Sequence, residues 1–302
     1  MTCYSPLKGY EHPDDGIVFK RMKEAGKAID VACGQCMGCR IDKSKEWAAR
    51  IVHESQMHDE NTFVTLTYDP QHLPHDGSLN KEHFQKFMKR LRRRYPDKKL
   101  RYFHCGEYGE QLARPHYHAC LFGIDFHDKE PYRVDNDIIT YTSLELEKIW
   151  GRGFCSLGEL NYQTAAYTSR YIMKKVTGKR AEEHYLRVDP GTGEIYNLQP
   201  EYITMSLKPG IGYDWYQKYK TDVFPSDECP VPGRGVYKNV PKYYDVLLER
   251  EDKNTYKKIK RQRAKYHAAQ CQDYTPRRLE DRYKVKKAQV NMLKRGYENG
   301  QQ

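Results

Sequence analysis

Alternation is clearest at Phe63 to Tyr68, where Phe63, Thr65 and Thr67 share one face and Val64, Leu66 and Tyr68 the other. Period two over six residues, ended by Asp69-Pro70, predicts a strand. The same rule predicts strands over Arg101 to Glu107 and His116 to Phe122, with Tyr108 to Arg114 as the turn between them and Pro115 at the strand entrance. Phe154 to Leu160 reads as a fourth strand and Tyr202 to Leu207 as a short one. Helical spacing appears elsewhere. Trp47 and Ile51 follow Ser44, a capping residue type, so a helix is expected from Ser44. Phe84, Phe87, Met88 and Leu91 form an apolar stripe over Lys81 to Tyr95, with Asn80 as its N-cap.

Further along, Thr142 or Ser143 is expected to cap a short helix carrying Leu144, Leu146, Ile149 and Trp150, stopped by Gly151. Gln163 to Val176 is expected to be helical, with Gly178 past its end, and Asp214 to Tyr219 likewise. Residues 124 to 141 show no clear period and read as a loop. Pro225 to Pro241 reads as a linker or wrapping segment ahead of a helical tail. Antiparallel strands with helices on one face make an α+β architecture.

Composition adds a partner class. The chain of 302 residues carries 52 Lys and Arg against 41 Asp and Glu, a formal charge of +11, which favours a polyanion. Between Pro241 and Gln302 stand 17 basic and 8 acidic residues, so most of the excess lies in the tail. The 26 tyrosines, interleaved with basic residues, offer stacking surfaces for unpaired bases. No apolar run reaches the roughly 18 residues of a membrane span and no signal-peptide core opens the chain, so a cytoplasmic protein without a membrane partner is expected.

The chemistry concentrates in two stretches. On a strand, His116 and His118 point to one side and Tyr117 to the other. If the preceding strand folds back beside them, Glu107 completes a set of two imidazoles and a carboxylate, suited to Mg²⁺ or Mn²⁺ acting on a phosphate. Glu110 and Glu159 are the substitutes if the register shifts by one. On a helix, Tyr167 and Tyr171 stand at i and i+4, with Lys174 and Lys175 one turn further, so nucleophile and cation share a face. Both tyrosine hydroxyls are expected to be exposed, since Ala165, Ala166, Ile172 and Met173 are available for the core. Lys174 is the choice for stabilising phosphate. Lys175, Arg170, Arg92 and Arg93 are the expected DNA contacts.

At the start of the chain, Cys33-Gly34-Gln35-Cys36-Met37-Gly38-Cys39 holds two overlapping C-x2-C units. Three thiolates, with Cys3 as the fourth, are a candidate structural zinc set. The bacterial ferredoxin pattern lacks its next cysteine here, because Arg40-Ile41-Asp42-Lys43 supplies none.

The histidine–hydrophobe–histidine strand followed by a helix with paired tyrosines resembles the HUH endonucleases, which nick single-stranded DNA and attach to it through tyrosine. Tyr-x3-Tyr-x2-Lys-Lys and Phe63-Val64-Thr65-Leu66-Thr67-Tyr68 resemble the replication initiators of the Microviridae, particularly the gokushovirus type, over about residues 60 to 180. The resemblance implies a ferredoxin-like nuclease domain, expected over 44–224; the Cys-rich segment at 1–43, an insertion near 180–201 and a linker and basic tail at 225–302 depart from simpler family members. It also implies rolling-circle initiation through a 5′-phosphotyrosine on origin DNA, primed for a host DNA polymerase, while the origin, a host helicase and capsid components are the candidate partners of the regions outside the nuclease domain. Two other readings share parts of this pattern: a relaxase or transposase with the same chemistry, and a non-catalytic, zinc-stabilised nucleic-acid-binding protein.

Overall fold

The computed structural model describes residues 2–12, 16–22, 26–109, 112–135, 138–170, 175–176, 178, 180–188, 191–238 and 240–292. The described residues divide into two compact units, one drawn from residues 2–44 and 248–292 and the other from residues 45–247. The first opens with three short strands, β1 (Leu7–His12), β2 (Gly16–Val18) and β3 (Ala28–Val31), paired antiparallel in the order β2-β1-β3. Helix α1 (Met37–Ser55) follows. It starts seven residues before the expected Ser44, because Met37 to Lys43 lacks the apolar spacing that marks the rest of the helix.

The larger unit is built on β4 (Asn61–Leu66), α2 (Lys81–Arg94), β5 (Arg101–Tyr108), β6 (Pro115–Phe122), β7 (Glu130–Asp135), β8 (Ile138–Thr142), α3 (Leu144–Trp150), β9 (Cys155–Gly158) and α4 (Tyr162–Arg170). Beyond these come α5 (Arg180–Tyr185), the hairpin β10 (Leu186–Val188) and β11 (Ile195–Asn197), then β12 (Tyr202–Met205), α6 (Tyr213–Val223), the hairpin β13 (Cys229–Val231) and β14 (Gly235–Tyr237), and α7 (Lys242–Glu251). Two basic helices close the described chain, α8 (Lys253–Ala269) and α9 (Pro276–Asn291).

Seven strands form one antiparallel sheet in the order β12-β5-β6-β4-β9-β8-β7. The α+β class expected from the sequence is the one observed. The β7–β8 hairpin, however, occupies much of the stretch expected to be a loop. Its residues are largely exposed on both sides, so neither face demands apolar residues and no alternation marks it.

Helices cover both faces of the sheet rather than one. On the first face, Val64, Leu66, Tyr117, Ala119 and Leu121 meet Phe84, Phe87, Met88 and Leu91 of α2 and Leu146, Ile149 and Trp150 of α3. Each such side chain contributes on the order of 1.5–3 kcal/mol on leaving water. Asn80 caps α2 by accepting from the Glu82 amide, and Ser143 caps α3 by accepting from the Leu146 amide. The left-handed Gly151 (φ 60°) ends α3. On the second face, Trp47 packs on Phe103 with ring centres 5.1 Å apart, and α4 sets Thr168 beside Cys120. Strand β5 begins there with Arg101, whose guanidinium donates to buried Glu54 at 2.5 Å and to the Pro209 carbonyl at 2.7 Å. The same strand ends on the same face with Glu107.

Candidate metal centre and active site

Strand pairing alone brings the donor set together. In the β5–β6 ladder Glu107 lies opposite His116, and Cys105 opposite His118, so Glu107 faces one histidine directly and the other diagonally. Its Oε1 lies 2.8 Å from Nε2 of His116 and 2.8 Å from Nε2 of His118. All three side chains are buried, and their donor atoms fall within 4.8 Å of one another. Glu159 is exposed just past the end of β9, and Glu110 lies outside the described residues.

The far nitrogens fix the near ones. The Arg114 carbonyl, which can only accept, lies 3.2 Å from Nδ1 of His116, so Nδ1–H is the donor and Nε2 of the neutral ring carries a lone pair. A ring nitrogen and a carboxylate oxygen 2.8 Å apart are held by a proton on the ring or by a cation beside them. Two donors at right angles around an ion at about 2.1 Å lie about 3.0 Å apart, close to the spacing here. Thr65 supports the second ring, its Oγ1 2.9 Å from Nδ1 of His118, the supporting contact that orients a ligating imidazole. Burial pushes the Glu107 carboxyl up, but with the rings protonated at Nε2 the hydrogen bonds from His116 and His118 and their charge outweigh it and hold the group well below the usual carboxylate range. The residues present fit a divalent ion.

Aromatic rings frame this set. Phe63 stacks on His118, 5.6 Å between centres and 12° between planes. Tyr167 stands edge-on to both, 5.1 Å from His118 and 6.2 Å from Phe63. The Arg170 guanidinium carbon lies 5.8 Å from the centre of the Tyr167 ring. Helix α4 is held in place from its start, where Asn161 Oδ1 accepts from the Gln163 and Thr164 amides at 2.9 and 3.1 Å. Phe63 and Thr65 had signalled only a strand face; their contact with His118 follows from β4 pairing with β6, which the sequence does not announce.

Several expectations change. Tyr167 is buried, 4% exposed, rather than presenting a free hydroxyl, because Thr164, Ala165 and Thr168 on the same helix face bury against the sheet. Lys175 is exposed and lies outside any described helix, so it does not continue the helical face of Tyr167. Tyr171 and Lys174 lie outside the described residues. Arg92 and Arg93 are exposed on α2, which covers the opposite face of the sheet, so the fold does not bring them to the histidines. Arg170 does come to Tyr167.

On the opposite face, the residue between the two histidines has its own anchor. Tyr117 donates its hydroxyl hydrogen to the Asn80 carbonyl and accepts from the Asn80 amide, both at 2.9 Å. Tyr68 is 2.7 Å from the same oxygen and 2.6 Å from Nδ1 of His83. With the Tyr117 hydrogen committed to a carbonyl, Tyr68 donates to Tyr117 and accepts from His83. Burial lowers His83 to about 4, with Arg152 adding to the effect.

In the smaller unit, Cys3, Cys33, Cys36 and Cys39 form a second cluster whose sulfurs lie within 4.8 Å of one another. Among the described residues, no helix is long and apolar enough to cross a membrane.

Residues 61–176, which contain the histidine strand and α4, match the family of replication-associated proteins of the ORF2 type. The chain is 32% identical over 275 residues to the replication-associated protein ORF2 of Spiroplasma virus 4, covering 83% of this chain and 81% of that one. It is 31% identical over 254 residues to the replication-associated protein VP4 of Bdellovibrio phage phiMH2K, covering 81% and 76%. To the replication-associated protein ORF4 of Chlamydia phage 1 it is 34% identical over 160 residues, 49% of this chain and 39% of that one. No solved structure matches. Identity of this extent along most of both chains places the protein in the family of replication-associated proteins of small phages, the Microviridae replication initiators.

Proposed function

We propose that this protein nicks and rejoins single-stranded origin DNA through a 5′-phosphotyrosine, with Tyr167 and Tyr171 as the nucleophiles. The observation that supports this reading is the position of Tyr167, whose ring stands 5.1 Å from His118 in the Glu107–His116–His118 set. Those three residues would hold Mg²⁺ or Mn²⁺, which would supply a Lewis acid to the scissile phosphate. The chain's own contribution is positioning. Arg114 and Thr65 fix the two rings, β5 presents Glu107, and α4 holds Tyr167 against the sheet. Arg170 beside the Tyr167 ring favours negative charge nearby, which a phenol with an ordinary pKa of about 10 needs in order to attack. Lys174 stabilises the phosphate, and Lys175 contacts the flanking strand.

In the reaction, the phenol oxygen forms a bond to phosphorus and the bond from phosphorus to the 3′-oxygen breaks. The phenol proton leaves to solvent and the departing oxygen takes one up, giving a free 3′-hydroxyl. The phosphodiester energy stays in the tyrosine link, so attack by a DNA 3′-hydroxyl reverses the step without ATP. The freed end primes synthesis by a host polymerase, and a second tyrosine cuts after one circuit. Purified protein incubated with labelled single-stranded origin DNA and Mn²⁺ or Mg²⁺ tests this. A denaturation-resistant adduct is expected, lost in His116→Ala, His118→Ala and the Tyr167→Phe, Tyr171→Phe double variant. Tight DNA binding without adduct or cleavage under either metal would leave a binding protein.

A further inference from the structure

The smaller unit contains a four-sulfur centre that the strand-transfer reading does not use. Cys3 precedes β1, Cys33 follows β3, Cys36 lies in the turn before α1 and Cys39 in its first turn. Their sulfurs are separated by 3.6 Å (Cys3 to Cys33), 3.9 Å (Cys36 to Cys3) and 4.0 Å (Cys33 to Cys39). A disulfide requires about 2.05 Å, so none of these pairs is bonded. A tetrahedron of thiolates about 2.3 Å from one ion has edges of about 3.8 Å, which lies in the middle of the observed spacings.

The backbone around the cluster is arranged for sulfur that carries charge. Amides of Tyr4, Cys33 and Cys36 each approach a cysteine sulfur at 3.3 Å, those of Cys36, Cys3 and Cys33 respectively. Gly34 sits at φ 72°, a left-handed turn that a side chain disfavours, between the first two ligands of the run. Gly38 allows the N-terminal segment to close on α1: a Cβ there would lie 1.7 Å from the Thr2 carbonyl oxygen and 2.9 Å from the Tyr4 ring. Thr2 then hydrogen-bonds to Asp42 in the same helix. Two glycines and three amide donors therefore serve the cluster, not a chance meeting of reduced thiols.

Among the described residues of the unit few apolar side chains are buried. Among its described residues before Lys45, Cys3 is the only buried apolar side chain, and Leu248, Ile259 and Leu279 are the ones after Leu247. So few cannot hold nearly a hundred residues against chain entropy, and small units of this kind rely on a staple.

We infer that Cys3, Cys33, Cys36 and Cys39 bind one Zn²⁺ as a closed structural site that holds the smaller unit together. Four protein sulfurs complete a tetrahedron and leave no position for water or substrate, so the ion is structural, unlike the site of two imidazoles and a carboxylate. Binding releases the thiol protons that remain and involves no change of oxidation state. The ion fixes the N-terminal segment, on which Tyr4 meets Tyr283 of α9 with ring centres 5.7 Å apart. Its loss is expected to loosen α9 as well as the cysteine turn.

Metal analysis of the full-length protein, purified under reducing conditions with His116→Ala and His118→Ala to silence the other site, is expected to give one zinc per chain. Cys271→Ser, which removes an exposed thiol outside the cluster, is expected to keep it; Cys36→Ser and Cys39→Ser are expected to lose it. Because the cysteine variants can fail by misfolding, Co²⁺ is also exchanged into the otherwise native chain, where a sulfur-to-cobalt charge-transfer band with tetrahedral d–d intensity is expected. Chelation is expected to expose residues 276–291 to hydrogen exchange before the seven-stranded sheet. No zinc uptake, iron in its place, or a cobalt spectrum without thiolate bands overturns the proposal. Zinc content is read without DNA, so Tyr167→Phe leaves it unchanged and failure of the nicking reaction is a separate result.

Discussion

Thr65 Oγ1 lies 2.9 Å from Nδ1 of His118, across the pairing of β4 with β6. Thr65→Val keeps the shape of the strand and removes this support. A ring so released costs about 10- to 100-fold in metal affinity. Mn²⁺ titration is expected to show that loss with a near-native melting temperature, and strand cleavage is expected to recover at high Mn²⁺. An unchanged titration would mean that His118 is oriented by Phe63 stacking alone.

Glu107→Gln removes the charge on which both imidazoles converge while keeping the volume. The buried pair of Nε2 atoms is then left facing a neutral amide, one of whose positions donates. Divalent-ion binding and adduct formation are both expected to fall by at least about 100-fold, the scale of losing one anionic donor of three. Isothermal titration with Mn²⁺ measures the first and denaturing gels the second. Retained cleavage in this variant would move the metal elsewhere.

Tyr117→Phe separates stability from chemistry. The change strips the half-buried Asn80 amide and carbonyl of a partner, the carbonyl keeping the His83 amide, and leaves the buried Tyr68 hydroxyl with one partner fewer. Unsatisfied buried groups cost about 1–3 kcal/mol each, so urea unfolding is expected to show a loss of that order. The histidines point the other way, and Mn²⁺ affinity is expected to stay within a factor of about two.

His53 supplies a pH dependence. Its Nδ1 lies 2.8 Å from the Tyr244 hydroxyl, its Nε2 lies 2.9 Å from the Pro230 carbonyl, and Trp215 stacks on it at 3.6 Å. The carbonyl takes the Nε2 hydrogen, so the neutral ring accepts from Tyr244. Burial lowers the group to about 4. A folded-state pKa below the unfolded value of about 6.5 gives stability that is complete above pH 6.5 and is lost as pH falls toward 4, by up to about 3 kcal/mol. Denaturant midpoints measured between pH 7 and 4 are expected to fall more steeply in the parent than in His53→Gln.

How much of this was legible in the chain depends on burial. Strands β4, β5 and β6 announced themselves, because a sheet covered on both sides fills them with apolar and β-branched residues, and the histidines fell into register with Glu107 through that pairing. Tyr132, Val134 and Ile139 of the β7–β8 hairpin are exposed, so their pattern obeyed no buried face and read as a loop. The helix stripe of Phe84 to Leu91 was plain, yet which face of the sheet it covers is a tertiary fact. That fact alone removes Arg92 and Arg93 from the histidine side. The burial of Tyr167 depends in turn on Phe63, which is distant in sequence.

Strand β6 carries two obligations on alternate residues, the proposed metal donors His116 and His118 on one side and the Tyr117 anchor to α2 on the other. It lies between β5 and β4 rather than at an edge. Shifting it by a single residue would aim Tyr117 at the Glu107 side of the sheet and put both imidazoles into the oily layer beneath α2. Length can therefore drift in the turn from Gly109 to Arg114 during divergence, but not within the strand. Related phage chains should show insertions and deletions before Pro115 and none between Pro115 and Phe122.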